Sequence, residues 1–226
     1  MNNNDKFIWK SNLYDEFKSH VSEEIFENKI YEKFFEVEEN DIVFDVGASL
    51  GPFTFSILDK KPKHVFAFEP FFDEYKILVK NTNRGPVTQI NKAISDKTEN
   101  LELYWPTESF EDKEIVPITF MDAVSMYNVS KIDFLKCDCE GCEYEIFKNE
   151  NLDWILNNVK KISGEWHLSN PELKDKFRKF RDEILSKFDS DKYQVMSIDG
   201  VDIKWELWSD NFINYYTEII LHIDNR

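Results

Sequence analysis

Short apolar runs recur along the chain, several of them closed by an acid or a glycine, and most are separated by amphipathic stretches of helical length. Asp41 to Val46 and Val65 to Phe68 read as the first two buried strands, and Val87 to Asn91 as the third. Leu101 to Trp105 and Ile115 to Ile118 read as strands about a charged turn, Ile132 to Cys137 as a buried strand, and Lys160 to Gly164 as another running into Glu165-Trp166-His167. Between them the pattern predicts helices over Phe53 to Lys60, with Pro52 tolerated in the first turn, over Phe72 to Asn83, Met121 to Tyr127 and Leu173 to Phe188. Leu13 to Glu36 reads as one or two amphipathic helices ahead of the core, a flank or lid, while Tyr193 to Ile198 and Tyr215 to Ile223 supply a closing antiparallel pair. Strands alternating with helices point to a doubly wound α/β sheet with helices on both faces. One domain over residues 1–226 is expected, with 1–40 as flank and 41–226 as core.

The first strand ends in Asp45-Val46-Gly47-Ala48-Ser49-Leu50-Gly51 and the second in Glu69-Pro70. Small residues at Gly47, Ala48, Ser49 and Gly51 let a ligand approach the backbone, and the carboxylate one strand over suits a ribose diol. The spacing is not the G-x-G-x-x-G that brings a helix N-terminus to a pyrophosphate. A nucleoside without a phosphate and with a cationic centre, S-adenosylmethionine, fits better, with Asp45 beside the loop and Glu69 on the ribose hydroxyls.

A net charge of −16 with no basic stripe argues against nucleic acid as substrate. No apolar stretch is long enough to insert in a membrane and the N-terminus, Met1-Asn2-Asn3-Asn4-Asp5, does not resemble a signal sequence, so a cytoplasmic setting is expected. All three cysteines fall in Cys137-Asp138-Cys139-Glu140-Gly141-Cys142. Tetrahedral zinc would need a fourth ligand that no second cluster offers, so the cysteines read as small packing residues, unbridged in a reducing compartment.

Val43-Phe44-Asp45-Val46-Gly47-Ala48, Ala67-Phe68-Glu69-Pro70, Asn91-Lys92-Ala93-Ile94-Ser95-Asp96, Asp133 to Glu143 and Glu165-Trp166-His167 resemble, in order, the motifs of FkbM-type S-adenosylmethionine-dependent methyltransferases. The similarity spans roughly Asp41 to His167 and is most specific over Lys136 to Glu143, where cysteines replace aliphatic or small residues but leave the acids intact. It implies a Rossmann-like class I methyltransferase fold, a seven-stranded, mostly parallel sheet in the order 3-2-1-4-5-7-6. It further implies transfer of a methyl group to a hydroxyl, often of a sugar. Gly47, Ala48, Ser49 and Gly51 would shape the methionine pocket, Asp45 would support the amino group directly or through water, and Glu69 with Pro70 would hold the ribose. Ala93 and Ile94 would flank the adenine, or serve as ordinary core, with Ser95 as a polar contact.

That strand order would bring Asp138 and Glu140 together with Glu165 and His167 at the carboxyl edge of the sheet, where open α/β sheets bind ligands. A sugar hydroxyl needs a base or a divalent ion to become nucleophilic. His167 is the candidate base, with Asp138, Glu140 and Glu165 beside it; Asp138, Glu165 and His167 could equally hold Mg²⁺ or Mn²⁺. Glu143 and Glu145 read as a solvated helix face and Asp122 as a helix-start acid. Trp105, Trp205 and Trp208 are either sugar-stacking surfaces or flank, and Lys174 to Arg181 is a solvated charged face. The expected acceptor is a sugar or nucleotide-sugar, such as a surface-glycan precursor, with a second copy of the chain as a further candidate partner. The rival readings are a methyltransferase for a non-sugar metabolite and a non-catalytic nucleoside-binding protein.

Overall fold

The structure, a computed structural model, describes residues 7–10, 15–96 and 115–226. The strand expected at Leu101 to Trp105, Trp105 itself and the start of the N-terminal helix at Leu13 lie outside the described residues. Strands β1 (Ile42–Val46), β2 (His64–Phe68), β3 (Val87–Ile90), β6 (Ile132–Cys137), β7 (Val159–His167), β8 (Tyr193–Met196) and β9 (Glu218–Asp224) form one sheet in the order β3-β2-β1-β6-β7-β9-β8. The first five run parallel and β9 is antiparallel to both β7 and β8, as the expected order requires. The short strands β4 (Ala93–Ile94) and β5 (Pro117–Ile118) pair separately.

Alternation along the strands sorts the side chains onto two faces. Phe44, Val46, Phe66, Phe68 and Trp166 join one core with residues of α4 (Phe120–Met126), α6 (Asn149–Asn158) and α7 (Pro171–Lys179). Val43, Val65 and Phe134 join a second core with Phe53 and Ile57 of α2 (Pro52–Ile57) and with Ile25, Tyr31, Phe35 and Val37 of the N-terminal flank. Remaining helices are α1 (Asp15–Ser22), α3 (Phe72–Thr82), α5 (Glu143–Ile146) and α8 (Asp210–Tyr215).

The flank continues α1 through a π-helical turn, Glu23–Glu27, and a 3-10 turn, Ile30–Glu32. It covers the polar face of β7 that carries Lys161, Glu165 and His167. Buried Lys161 of β7 reaches Asp41 Oδ2 and the Glu36 carbonyl, each at 2.8 Å, which ties the flank to the sheet. Two outcomes differ from expectation. α6 was not foreseen, because Asn149 and Asn151 open it as poor helix formers and its apolar side, Leu152, Trp154, Ile155 and Leu156, is short. Tyr215 closes α8 instead of opening the last strand, which starts at Glu218.

Candidate active site at the carboxyl edge

β1 ends in a turn that only glycine can make at its first position. Gly47 has φ +75°, and a Cβ there would lie 1.7 Å from the Asp138 carbonyl oxygen, so the backbones of the β1 and β6 ends touch. The Gly47 and Ala48 amides both donate to the Phe68 carbonyl, joining the turn to β2. Ser49 and Gly51 are also left-handed, and α2 starts directly after.

Glu69 is enclosed between this turn and the start of α3. Its Oε2 accepts from the Ser49 amide and its Oε1 from the Phe71 amide, each at 2.7 Å. Burial pushes its carboxyl up to about 8, against the pull of those two amides. Asn91 Nδ2 donates to the Glu69 and Pro70 carbonyls, fastening the β2 end to the β3 end. Ala93, Ile94 and Ser95 follow, all buried, and the Ser95 amide donates to the Ile118 carbonyl.

Asp45 lies beneath the turn with no exposed surface. Thr54 Oγ1 donates to its Oδ2 at 2.6 Å, and Lys136 Nζ is 3.3 Å from Oδ1. The Asp45 carboxylate is thus a buried counter-charge to Lys136. Lys136 in turn donates to the Gly47 carbonyl at 2.7 Å and stands 3.7 Å from Asp138 Oδ2.

The expected acid and histidine cluster is assembled. β7 extends through His167, so Glu165 and His167 project on the same face as Lys161, toward the flank. His167 Nε2 lies 3.5 Å from Glu140 Oε1 and 3.8 Å from Asp138 Oδ1. Its Nδ1 is 2.9 Å from Glu143 Oε1, and the Tyr144 hydroxyl donates to its carbonyl at 2.7 Å. Burial alone would lower the imidazole; Glu143, with Asp138 and Glu140, outweighs it and holds the group well above its ordinary range. Glu165 is pushed well above the carboxylate range by burial and by Asp138, and Glu140 is raised for similar reasons. A divalent ion would find Asp138, Glu165 and His167 with one donor atom each within 4.8 Å of one another, an oxygen-rich set suited to Mg²⁺ or Mn²⁺.

Two readings are corrected here. Glu143 is not on a solvated face: it is fully buried, orients His167 and accepts from the Cys139 amide at 3.0 Å. Its place four residues after Cys139, on the first turn of α5, brings it back under its own loop, which periodicity alone does not reveal. Cys139 and Cys142 form a disulfide across Glu140-Gly141, leaving Cys137 as a buried free thiol 3.7 Å from the Cys139 sulfur. Sulfur atoms locked in a disulfide are not thiolate ligands, so the cysteine cluster in this form offers no zinc site. Unforeseen as well is Tyr31 of the flank, whose hydroxyl lies 2.9 Å from Asp138 Oδ2 and 3.0 Å from Glu165 Oε1.

Residues 45–194 match the model of the methyltransferase FkbM domain. Hexuronic acid methyltransferase AglP of Haloferax volcanii is 29% identical over 148 residues, 58% of this chain and 58% of that protein, so the chain spans less than two thirds of the relative's length. Among solved structures, SMU.1697c of Streptococcus mutans in complex with SAH is 12% identical, with 94% of this chain and 98% of that one covered at a TM-score of 0.49. A SAM-dependent O-methyltransferase of Thermotoga maritima is 13% identical, with 96% and 67% covered at 0.45. Both are loose likenesses of chain path and speak to neither ligand nor substrate. The family match covers most of the chain, its motifs fall on the turn and strand ends described above, and the chain belongs to the FkbM methyltransferase family.

Proposed function

We propose that the chain is an S-adenosylmethionine-dependent O-methyltransferase of the cytoplasm that acts on a sugar hydroxyl, in a nucleotide-activated sugar or a glycan precursor. The observation that carries this is the Glu143–His167 pair, whose free Nε2 faces Asp138 and Glu140 on the loop that touches the Gly47 turn. The residues at the turn fit the cofactor: Glu69 keeps both amide-anchored oxygens beside the loop for a ribose diol, and Gly47, Ala48, Ser49 and Gly51 keep the path to the backbone narrow. Bound S-adenosylmethionine would supply an activated methyl group on a sulfonium.

What the chain must add is alignment and a place for the acceptor proton. Alignment of the acceptor oxygen at roughly 3 Å can contribute several kcal/mol. The acceptor proton passes to His167 Nε2, with Glu143 on Nδ1 fixing the tautomer and stabilising the resulting imidazolium. Because His167 already tends to carry a proton, the reaction is expected to run faster as pH rises.

A second reading is favoured by the shared reach of Asp138, Glu165 and His167. There Nε2 would hold Mg²⁺ or Mn²⁺, and Glu143 would keep the imidazole in place through Nδ1. The two readings compete for one nitrogen. The relative's hexuronic acid substrate suggests an acidic sugar, whose carboxylate would be repelled by Asp138, Glu140 and Glu165 unless it points away or a cation bridges it.

Calorimetric titration with S-adenosylmethionine and S-adenosylhomocysteine tests the cofactor, repeated with Glu69→Ala. Micromolar binding lost in the variant supports the reading, and no binding by folded wild type sinks it. Methyl transfer to free uronic acids and to nucleotide-sugars, with EDTA or with added Mg²⁺ or Mn²⁺, then separates base from metal.

A further inference from the structure

The family match begins at residue 45, yet a side chain that touches two acids of the cluster comes from well before it. Tyr31 sits in the 3-10 turn Ile30–Glu32, entered through Lys29 in a left-handed conformation. Its ring is edge-on to Phe53 of α2, with centroids 5.7 Å apart, and Lys136 Nζ lies 5.2 Å from the ring centre. The residue is 3% exposed. With the ring held by these neighbours, the hydroxyl meets Asp138 Oδ2 and Glu165 Oε1.

Those carboxylates belong to neighbouring strand ends and repel one another when both are charged. Carrying one proton, the hydroxyl can donate to one of them and accept from the other when that one is protonated, which relieves the repulsion and occupies one oxygen of each. Asp138 Oδ1 is left beside His167 Nε2. Packing against Phe53 and Lys136 needs only the ring, and a phenylalanine would supply it without burying a polar atom. The hydroxyl therefore has its use in the carboxylates it touches.

We propose that Tyr31 is a positioning residue: its hydroxyl holds Asp138 and Glu165 as a pair, in the orientation met by the acceptor hydroxyl or a bridging cation. The purpose of the pair rests on the sugar O-methylation reading; the pairing itself does not. The flank then completes the site as well as covering the sheet.

Tyr31→Phe is the test, because it deletes one oxygen and keeps the ring. Crystal structures of wild type and variant are expected to differ by more than about 0.5 Å in the Asp138 and Glu165 carboxylates, a shift that matters for a reacting site. Affinity for S-adenosylhomocysteine should stay within about threefold, while kcat falls about 10- to 100-fold, the scale of a misplacement near 1 Å. Combined with Asp138→Asn, the losses should be clearly less than additive, since the hydroxyl acts through that acid. Unmoved carboxylates, an unchanged kcat or fully additive losses would each overturn the proposal. If wild type methylates no sugar, the functional reading fails, and the crystallographic comparison still decides whether Tyr31 sets the pair.

Discussion

Glu69 is held by two amides from two different loops and is nevertheless pushed up to about 8 by burial. On the proposed cofactor reading, ribose hydroxyls donate best to its ionised form, so binding below that value would expel a proton. The sign follows: affinity for S-adenosylhomocysteine is expected to rise with pH toward about 8, by up to about tenfold per unit, and to level off above it. Calorimetry in buffers of different ionisation enthalpy should detect the released proton, and Glu69→Gln should abolish both effects. The same raised value means that, in the free protein, this group favours folding most below its ordinary 4.5 and loses that contribution as pH climbs to about 8. His167 has the same direction for a different cause, its proton being held by Glu143, Asp138 and Glu140 against the cost of burial. Glu143→Gln removes the main charge behind the shift. On the base reading, the rising limb of the kcat profile should move to lower pH and the maximal rate should fall about 10- to 100-fold, as for loss of an assisting group in acid–base catalysis. A limb that stays in place would remove Glu143 from its assigned part.

At the scale of elements, the polar face of β7 explains why the flank is attached where it is. Lys161, Ser163, Glu165 and His167 alternate along one side of the strand, and Lys161, Glu165 and Ser163 meet Asp41, Tyr31 and His222 respectively. Lys161→Met leaves Asp41 without its buried partner and should cost about 3 kcal/mol in urea unfolding; Asp41→Asn on that background should recover part of it. Much of this architecture is written in local periodicity. The apolar runs at β1, β2, β6 and β7 and the intervening amphipathic helices point to a doubly wound sheet, whereas its strand order, and with it the meeting of Asp138, Glu140, Glu165 and His167, came from the family resemblance. Tyr31 and Glu143 escaped because their roles depend on where a chain returns after a turn. A tyrosine in an amphipathic flank and a glutamate opening a charged helix look ordinary until tertiary packing buries them. For Asp45 the motif position pointed at the ligand, and it does not reveal the Thr54 and Lys136 partners that packing supplies to the carboxylate.

Across the whole molecule, negative charge is uneven in its consequences. Among the described residues, Glu24, Asp138, Glu140, Glu143 and Glu165 come together at one end of the sheet, with His167 and Lys136 among them. Such a field draws cations and positively charged ligands to that edge and turns polyanions away. Among the described residues no helix is long and apolar enough to cross a membrane. The loop that bears two of these acids, Asp138 and Glu140, is also the one closed by Cys139 and Cys142. Handling history thereby becomes a variable: protein kept in dithiothreitol and protein purified without it would present this loop in two covalent states, and rates from the two preparations would not be interchangeable. Thiol titration with Ellman's reagent in denaturant should count one free sulfhydryl in the unreduced chain, that of Cys137, and three after reduction, so each batch can be labelled before its activity is compared.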